Sequence, residues 1–258
     1  MNVFVCVKQI PDPNAPGKFD PATRRLVRDG VDVVLDPGDE HAVEAGLQLA
    51  EQQGGDVTVV SMGPPKAMDA IRKALSMGGA RGILISDPGL ENSDALRTSR
   101  AIAAVLKGQA IDVIICGTES TDGYSGAVPG QLAELLRLPL LSFAKKLEVA
   151  GGKATIQRQT DDGYDVVEAT LPVVVTVTGG INEPRYPSLR GIMQSKSKEV
   201  KQVGLAELAL DGPAGTAALT QEVVAITPAE TRKAGQVIED RGEGAKQIAD
   251  LLARLKVI

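Results

Sequence analysis

Four short runs of aliphatic, largely β-branched residues, VFVCV (3–7), VTVVSM (57–62), GILIS (82–86) and DVIIC (112–116), recur with long helix-spaced stretches between them. Runs this short and this apolar suit strands buried on both faces, and strands joined by crossovers rather than tight turns run parallel. The crossovers are DEHAVEAGLQLAEQQ (39–53), PPKAMDAIRKALSMG (64–78) and SDALRTSRAIAAVLK (93–107). Asp39, Pro64 and Ser93 are start signals for them, and Gly54 and Gly78 are stops for the first two. Right-handed connections then predict the strand order 3-2-1-4. That order places a switch point between the first and fourth strands, outside whose carboxyl ends such sheets bind ligands.

The texture changes after residue 140. Alternating runs broken at Gly151-Gly152 and Asp162-Gly163 predict antiparallel hairpins that extend the same sheet. Past Gly179-Gly180 the patterning fades, and 201–243 reads as a Gly- and Pro-spaced segment before a final helix near GAKQIADLLARLK. Leu205, Leu208, Leu210, Val223 and Ile226 have no evident home on a one-domain core, so a second chain is expected to support this arm. The expected fold is α/β and Rossmann-like: a mostly parallel sheet extended by antiparallel hairpin strands, with a C-terminal arm. The expected divisions are a nucleotide-binding domain over 1–180, a loop over 181–200, and an arm and helix over 201–258 packing on a partner.

Composition excludes several classes. With a net charge of −5, three Phe, three Tyr and no Trp, the chain has neither a basic field for a phosphate backbone nor an aromatic platform for bases. No nucleic acid partner is expected. No apolar run reaches the roughly 20 residues of a membrane span, and MNVFVCVKQIPDP lacks a positive n-region or cleavage site. The expectation is a cytoplasmic protein without membrane insertion. Cys6 and Cys116 are too far apart in sequence for a short metal or redox pair and read as buried reduced thiols, so no metal site is expected. His41, the single histidine, reads as a solvated helix residue.

The loop after the fourth strand, GTESTDGYSGAVPG (117–130), combines four glycines with hydroxyl side chains immediately before a helix. Glycines let such a loop turn its N–H groups inward, and the helix from about Ala127 aims its positive end at the same place, a cradle for phosphate. A Gly-rich stretch can also be a plain flexible connection; its place at the switch point favours phosphate or nucleotide. Neither G-x-G-x-x-G nor G-x-x-x-x-G-K-[ST] occurs, which disfavours a standard dinucleotide site or a P-loop. LDPGDEHAVE (35–44) feeds the same crevice. There Asp36 or Asp39 is either a simple helix cap or a group for a ribose hydroxyl or base edge. Met62 is either core or a surface for adenine. The crevice offers Asp12, Asp36, Asp39, Glu119 and Asp122 but no clustered Lys, Arg or His for phosphoryl chemistry, so no catalytic residue is expected.

An ordered series of stretches resembles the beta (small) subunit of electron-transfer flavoprotein over nearly the whole chain. These are VFVCVKQIPD, LDPGDEHAVEAGLQL, VSMGPPKAMDAIRKALSMGGARGI, GTESTDGYSGAVPGQLAE, RQTDDGYDVVEATLPVVVTVTGGINEPRYPSL and IMQSKSKEV. Residues 158–176 are close to that family's signature, [KR]-x2-[DE]-[DG]-G…E…L-P-x-V-V-x-T. The resemblance implies a fold akin to the adenine nucleotide alpha hydrolases and an electron-carrier subunit rather than an enzyme. It implies structural AMP in this chain and redox-active FAD held mainly by an alpha subunit, the two chains forming a heterodimer.

Carried over from that family, the AMP contacts fall on Cys6, on Asp36, Pro37, Gly38 and Asp39, on Met62, and on Gly117, Thr118, Ser120, Asp122, Gly123, Tyr124, Ser125, Gly126, Ala127 and Val128. Gly126 and Ala127 stand where the family often has Asn or Gln, and Pro13 and Gly38 where it has aromatics near the flavin. RYPSLRGIMQSK matches the recognition loop, with Leu189 as the anchor for partner dehydrogenases and Tyr186 and Ile192 beside it. Pro184, Pro187 and Gly191 suit a projecting loop, and Arg185, Arg190 and Lys196 a rim for an acidic partner; a buried leucine at a strand end is the plainer alternative. The implied partners are acyl-CoA and related flavin dehydrogenases and a quinone oxidoreductase, in fatty acid oxidation and respiration. Alternatives are a bifurcating relative with a second FAD in place of AMP, and an adenine-nucleotide hydrolase or sensor of the same fold.

Overall fold

A computed structural model describes all residues except 16, 209, 211–218, 228–234, 236 and 258; the parts of the expected arm at those positions lie outside the described residues. The chain forms two compact units, Met1–Val223 and Val224–Ile258.

In the first unit, β1 (Asn2–Cys6) leads through β2 (Gln9–Pro11), the small pair β3 (Phe19–Asp20) and β4 (Arg25–Leu26), and β5 (Val33–Leu35) to helix α1 (Pro37–Gln53). There follow β6 (Asp56–Met62), α2 (Met68–Met77), β7 (Arg81–Ile85), α3 (Ala95–Leu106), β8 (Val113–Gly117) and α4 (Ala127–Leu136). A meander of β9 (Leu140–Ala150), β10 (Lys153–Thr160) and β11 (Gly163–Thr170) precedes β12 (Val173–Val177), α5 (Leu189–Ser195) and β13 (Val200–Val203). The second unit holds α6 (Gly244–Arg254).

The main sheet has nine strands in the order β11-β10-β9-β12-β8-β1-β6-β7-β13. Its core, β7-β6-β1-β8, is the 3-2-1-4 order expected from the four apolar runs, all parallel. Beyond β8, β12 and β9 continue it in parallel, and β10 and β11 add the antiparallel hairpins through two-residue turns at 151–152 and 161–162. Because successive side chains of a strand point to opposite faces, the same runs fill two cores. Val3, Val5, Val59 and Ile115 pack with residues of α1 and α2; Phe4, Val60, Ile83 and Ile114 pack with residues of α3 and α4. Full burial of each such side chain contributes about 1.5–3 kcal/mol, which is what makes both faces of the central strands apolar.

Several expectations are refined here. α1 starts at Pro37, capped by Asp36 rather than Asp39, and α3 is capped by Asp94 rather than Ser93. Gly54 and Gly78 close α1 and α2 as expected. The stretch in which patterning fades contains α5 and the edge strand β13, which pairs in parallel with β7. Leu208 is buried, and Leu205 and Leu210 pack against the second core, so these three have a home on the chain's own fold; Val223 and Ile226 are exposed.

Candidate functional site

The carboxyl ends of β1 and β8 lie side by side, and Asp39 of α1 closes the gap between them. Its Oδ2 accepts the Lys8 N–H at 2.8 Å and its Oδ1 the Gly117 N–H at 3.3 Å. The approach is so close that a Cβ on Gly117 would stand 2.7 Å from Asp39 Oδ1, so any larger residue must displace that carboxyl. Burial, then the neighbouring Asp36 carboxylate, pushes the Asp39 carboxyl up to about 8, against the pull of the two amides.

Asp36, fully buried, ties the two loops of the crevice together. One oxygen caps α1 through the Gly38 N–H at 2.9 Å; the other accepts the Thr121 N–H at 2.7 Å and the Thr121 hydroxyl at 3.1 Å. Since both oxygens are engaged by protein donors, what this segment offers a ligand is backbone at Pro37, Gly38 and Asp39 rather than a free carboxylate.

The loop between β8 and α4 is braced from three sides. Thr118 donates its hydroxyl to the Val177 carbonyl at the end of β12, and the Gly123 and Tyr124 amides fold back onto the Ser120 carbonyl. Asp122, whose side chain is only 3% exposed, forms ion pairs with Lys8 Nζ at 2.6 Å and Arg28 at 2.5 Å, and Lys8 also reaches the Ser120 hydroxyl at 3.2 Å. Burial works against the Asp122 charge, but the two cations outweigh it and hold its carboxyl below the usual carboxylate range. This corrects the expectation of a crevice without clustered basic groups. Lys8 follows the first strand directly, so its place beside the fourth-strand loop was open to inference from topology. Arg28 arrives from the long excursion between β2 and β5, for which spacing carries no signal.

Past the loop, Tyr124 and Gly126 have positive φ, 47° and 57°, and Gly126 leads into α4. Asp36, Asp94 and Ser188 cap α1, α3 and α5, whereas no side chain caps the N-termini of α2, α4 and α6; of these uncapped starts, that of α4 directly follows the loop after β8. Pro129 in the first turn has no N–H, which leaves the Ala127 and Val128 amides as the donors at this positive helix end. Ser125 and Tyr124 are exposed beside it.

On the opposite face of the strand ends, Cys6 and Cys116 occupy adjacent positions, following the Val5–Ile115 register pair, and both belong to the second core. The hydrogen bond to Cys6 and burial push the Cys116 thiol up. Both thiols are reduced, but only Cys116 is fully buried, and the distance in sequence between them conceals that they touch. Met62, at the end of β6, packs half-buried on the same core. His41 is not a solvated residue: its Nδ1 donates to the Asn182 carbonyl and side-chain oxygen, both at 3.1 Å. Asp12 engages Asn14 within its own turn.

Away from the crevice, the exposed apolar residues of 186–193 form a patch: Tyr186 is 95% exposed, Leu189 82%, Met193 74% and Ile192 45%. Leu189 is therefore not a core leucine; it opens α5, a short helix within the expected loop. Arg185 faces inward to α1 and does not rim the patch, while Arg190 and Lys196 are exposed. Among the described residues no helix is long and apolar enough to cross a membrane, and no cluster of three or more metal-ligating side chains occurs.

Comparison with known proteins identifies the family. The family model of the electron transfer flavoprotein domain matches residues 23–208. The chain is 42% identical over 264 aligned positions to an electron transfer flavoprotein subunit beta of Mycobacterium bovis, covering 100% of this chain and 99% of the relative. It is 35% identical to the subunit of the same name from Thermoanaerobacterium thermosaccharolyticum, covering 99% of this chain and 98% of that one. A caffeyl-CoA reductase-Etf complex subunit, CarD of Acetobacterium woodii, is 36% identical over 78% of this chain and 77% of its own length.

Proposed function

Since the chain belongs to the electron transfer flavoprotein beta-subunit family, a family of electron carriers rather than enzymes, we propose that its crevice holds one structural AMP. In this reading the chain also completes one side of an FAD site lying mainly in an alpha subunit. Through Leu189 and its neighbours it docks flavin dehydrogenases, including those of fatty acid oxidation, whose electrons pass on to a quinone oxidoreductase.

The single observation that carries the AMP assignment is the uncapped N-terminus of α4 directly after β8 at the switch point; the start of α2 is uncapped too, but it does not follow a strand of the switch point. Amides there donate to an anion, and the helix dipole favours its charge. The residues present fit the group. The Ala127 and Val128 amides would hold the phosphate, with Lys8 and Arg28 near the loop to offset its charge. Asp36 and Asp39 would keep the 37–39 backbone in place against the nucleoside. AMP supplies no reaction here, whereas FAD supplies the reversible electron transfer when bound. The exposed apolar patch at 186–193, with Arg190 and Lys196 beside it, supports the docking role.

The test is to co-express the chain with its alpha subunit, denature the purified heterodimer and quantify released cofactors by chromatography. One FAD and one AMP per heterodimer are expected. Two FAD and no AMP would replace this reading with the second-flavin alternative, and absence of any second nucleotide would sink both.

A further inference from the structure

The segment carrying the exposed apolar patch is bolted to the body of the first unit at both ends and in the middle. At its start, Arg185 spans two carboxylates of α1. Its guanidinium donates to Glu44 Oε2 at 2.7 Å and Oε1 at 3.0 Å, and to Glu51 Oε1 at 2.5 Å and Oε2 at 3.1 Å. Its own N–H adds a further bond to Glu44 at 3.1 Å. Glu44 is buried and also accepts from Gln48 at 2.9 Å, while His41 and Asn182 bind each other reciprocally one turn earlier. Positions 41, 44, 48 and 51 are spaced three and four apart, so one stripe of α1 holds both Asn182 and Arg185. Burial works against the Glu44 charge, yet the bonds from Arg185 outweigh it and hold the carboxyl below its usual range.

In the middle, a Cβ on Gly191 would stand 2.3 Å from the Ser76 carbonyl oxygen, so α5 lies directly against the end of α2 and admits only glycine. At the far end, two cations cross-cap the helices. Arg72 of α2 donates to the Ser195 and Lys198 carbonyls, the latter at 2.6 Å, and Lys198 returns Nζ to the Leu75 and Gly79 carbonyls at 2.9 and 2.6 Å. Charged donors at carbonyls of a helix end are favourable both as hydrogen bonds and against the dipole. The chain then enters β13.

We infer that Arg185, with Arg72 and Lys198, are positioning residues that present Tyr186, Leu189, Ile192 and Met193 as a preformed docking ridge. The inference rests on the docking role proposed above and adds that the ridge is ordered before the partner arrives. Bidentate pairing suits this, because a planar fork fixes orientation as well as distance. A segment already ordered has less conformational entropy to lose on binding.

The test uses the FAD-loaded heterodimer as electron acceptor for an acyl-CoA dehydrogenase, with R185Q, R185K, E51Q and L189A. R185Q is expected to raise the KM for the flavoprotein ~10-fold with kcat within about twofold, since its effect is on presentation rather than on transfer. R185K, which keeps the charge and loses the fork, should fall between R185Q and wild type. Amides 186–195 should exchange hydrogen at least ~10-fold faster in R185Q, while FAD and AMP content stay unchanged. If R185Q does not assemble, E51Q, a change at a half-exposed carboxylate, carries the same expectations at smaller size. L189A separates the two claims. If L189A raises KM while R185Q and E51Q alter neither KM nor exchange, docking stands and the clamp is overturned. If L189A leaves KM unchanged, the docking reading fails, and with it the positioning role.

Discussion

Asp36→Ala is the substitution that most directly probes the link between the fold and the crevice. It removes the α1 cap, worth about 1 kcal/mol, and leaves the Thr121 N–H inside the protein without its acceptor, about 1–3 kcal/mol more. The total of roughly 2–4 kcal/mol corresponds to a fall of about 4–16 °C in Tm for a chain of this size. Because the same carboxylate ties the loop before α4 to the start of α1, AMP release should accelerate as well. Thr121→Val removes only the hydroxyl contact and should cost about 1 kcal/mol or less. Urea unfolding of the heterodimer, paired with adenine quantification after gel filtration, reads both effects. Asp36→Ala within about 0.5 kcal/mol of wild type, with AMP retained, would refute the bridge.

Three further outcomes follow from the same geometry. Asp39 keeps its proton in the folded state up to about 8 but loses it near 3.8 when unfolded, so stability should fall as pH rises between those values, by about 1 kcal/mol per pH unit at most of that range. Asp39→Asn should flatten that slope in Tm measured from pH 5 to 8, and an unchanged slope would show the carboxyl to be ionised throughout. Gly117→Ala forces a methyl against Asp39 and should cost about 1–3 kcal/mol by urea denaturation while lowering AMP content. Lys8→Gln and Arg28→Gln should each speed AMP release modestly, and the double variant by more than the product of the two, because Asp122 is then left buried without a cation.

Much of the architecture was legible because its cause is local. The runs at 3–7, 57–62, 82–86 and 112–116 are apolar on both faces since both faces are covered, and their order follows from handedness alone. The hairpins announce themselves by turn residues. β13 stayed hidden because it is a sheet edge: of Val200–Val203 only Val203 is fully buried, so Lys201 and Gln202 erase the pattern. α5 is too short for a helical period to stand out, and it depends on Ser188 and on its packing against α2. At the crevice, the glycines and Asp36 through Asp39 were readable as a loop system, but their partners were not. The pairing of Lys8 and Arg28 with Asp122, of Cys6 with Cys116, and of Arg185 with Glu44 spans distances in sequence that only the sheet register and the crossovers bring together.

A crystal structure of the assembled heterodimer is the most direct measurement. It should place an adenylate between the ends of β1 and β8, its phosphate on the Ala127 and Val128 amides and its nucleoside against the 37–39 backbone. A crevice filled instead by side chains of the alpha subunit, with the α4 amides capped by protein, would contradict the central claim.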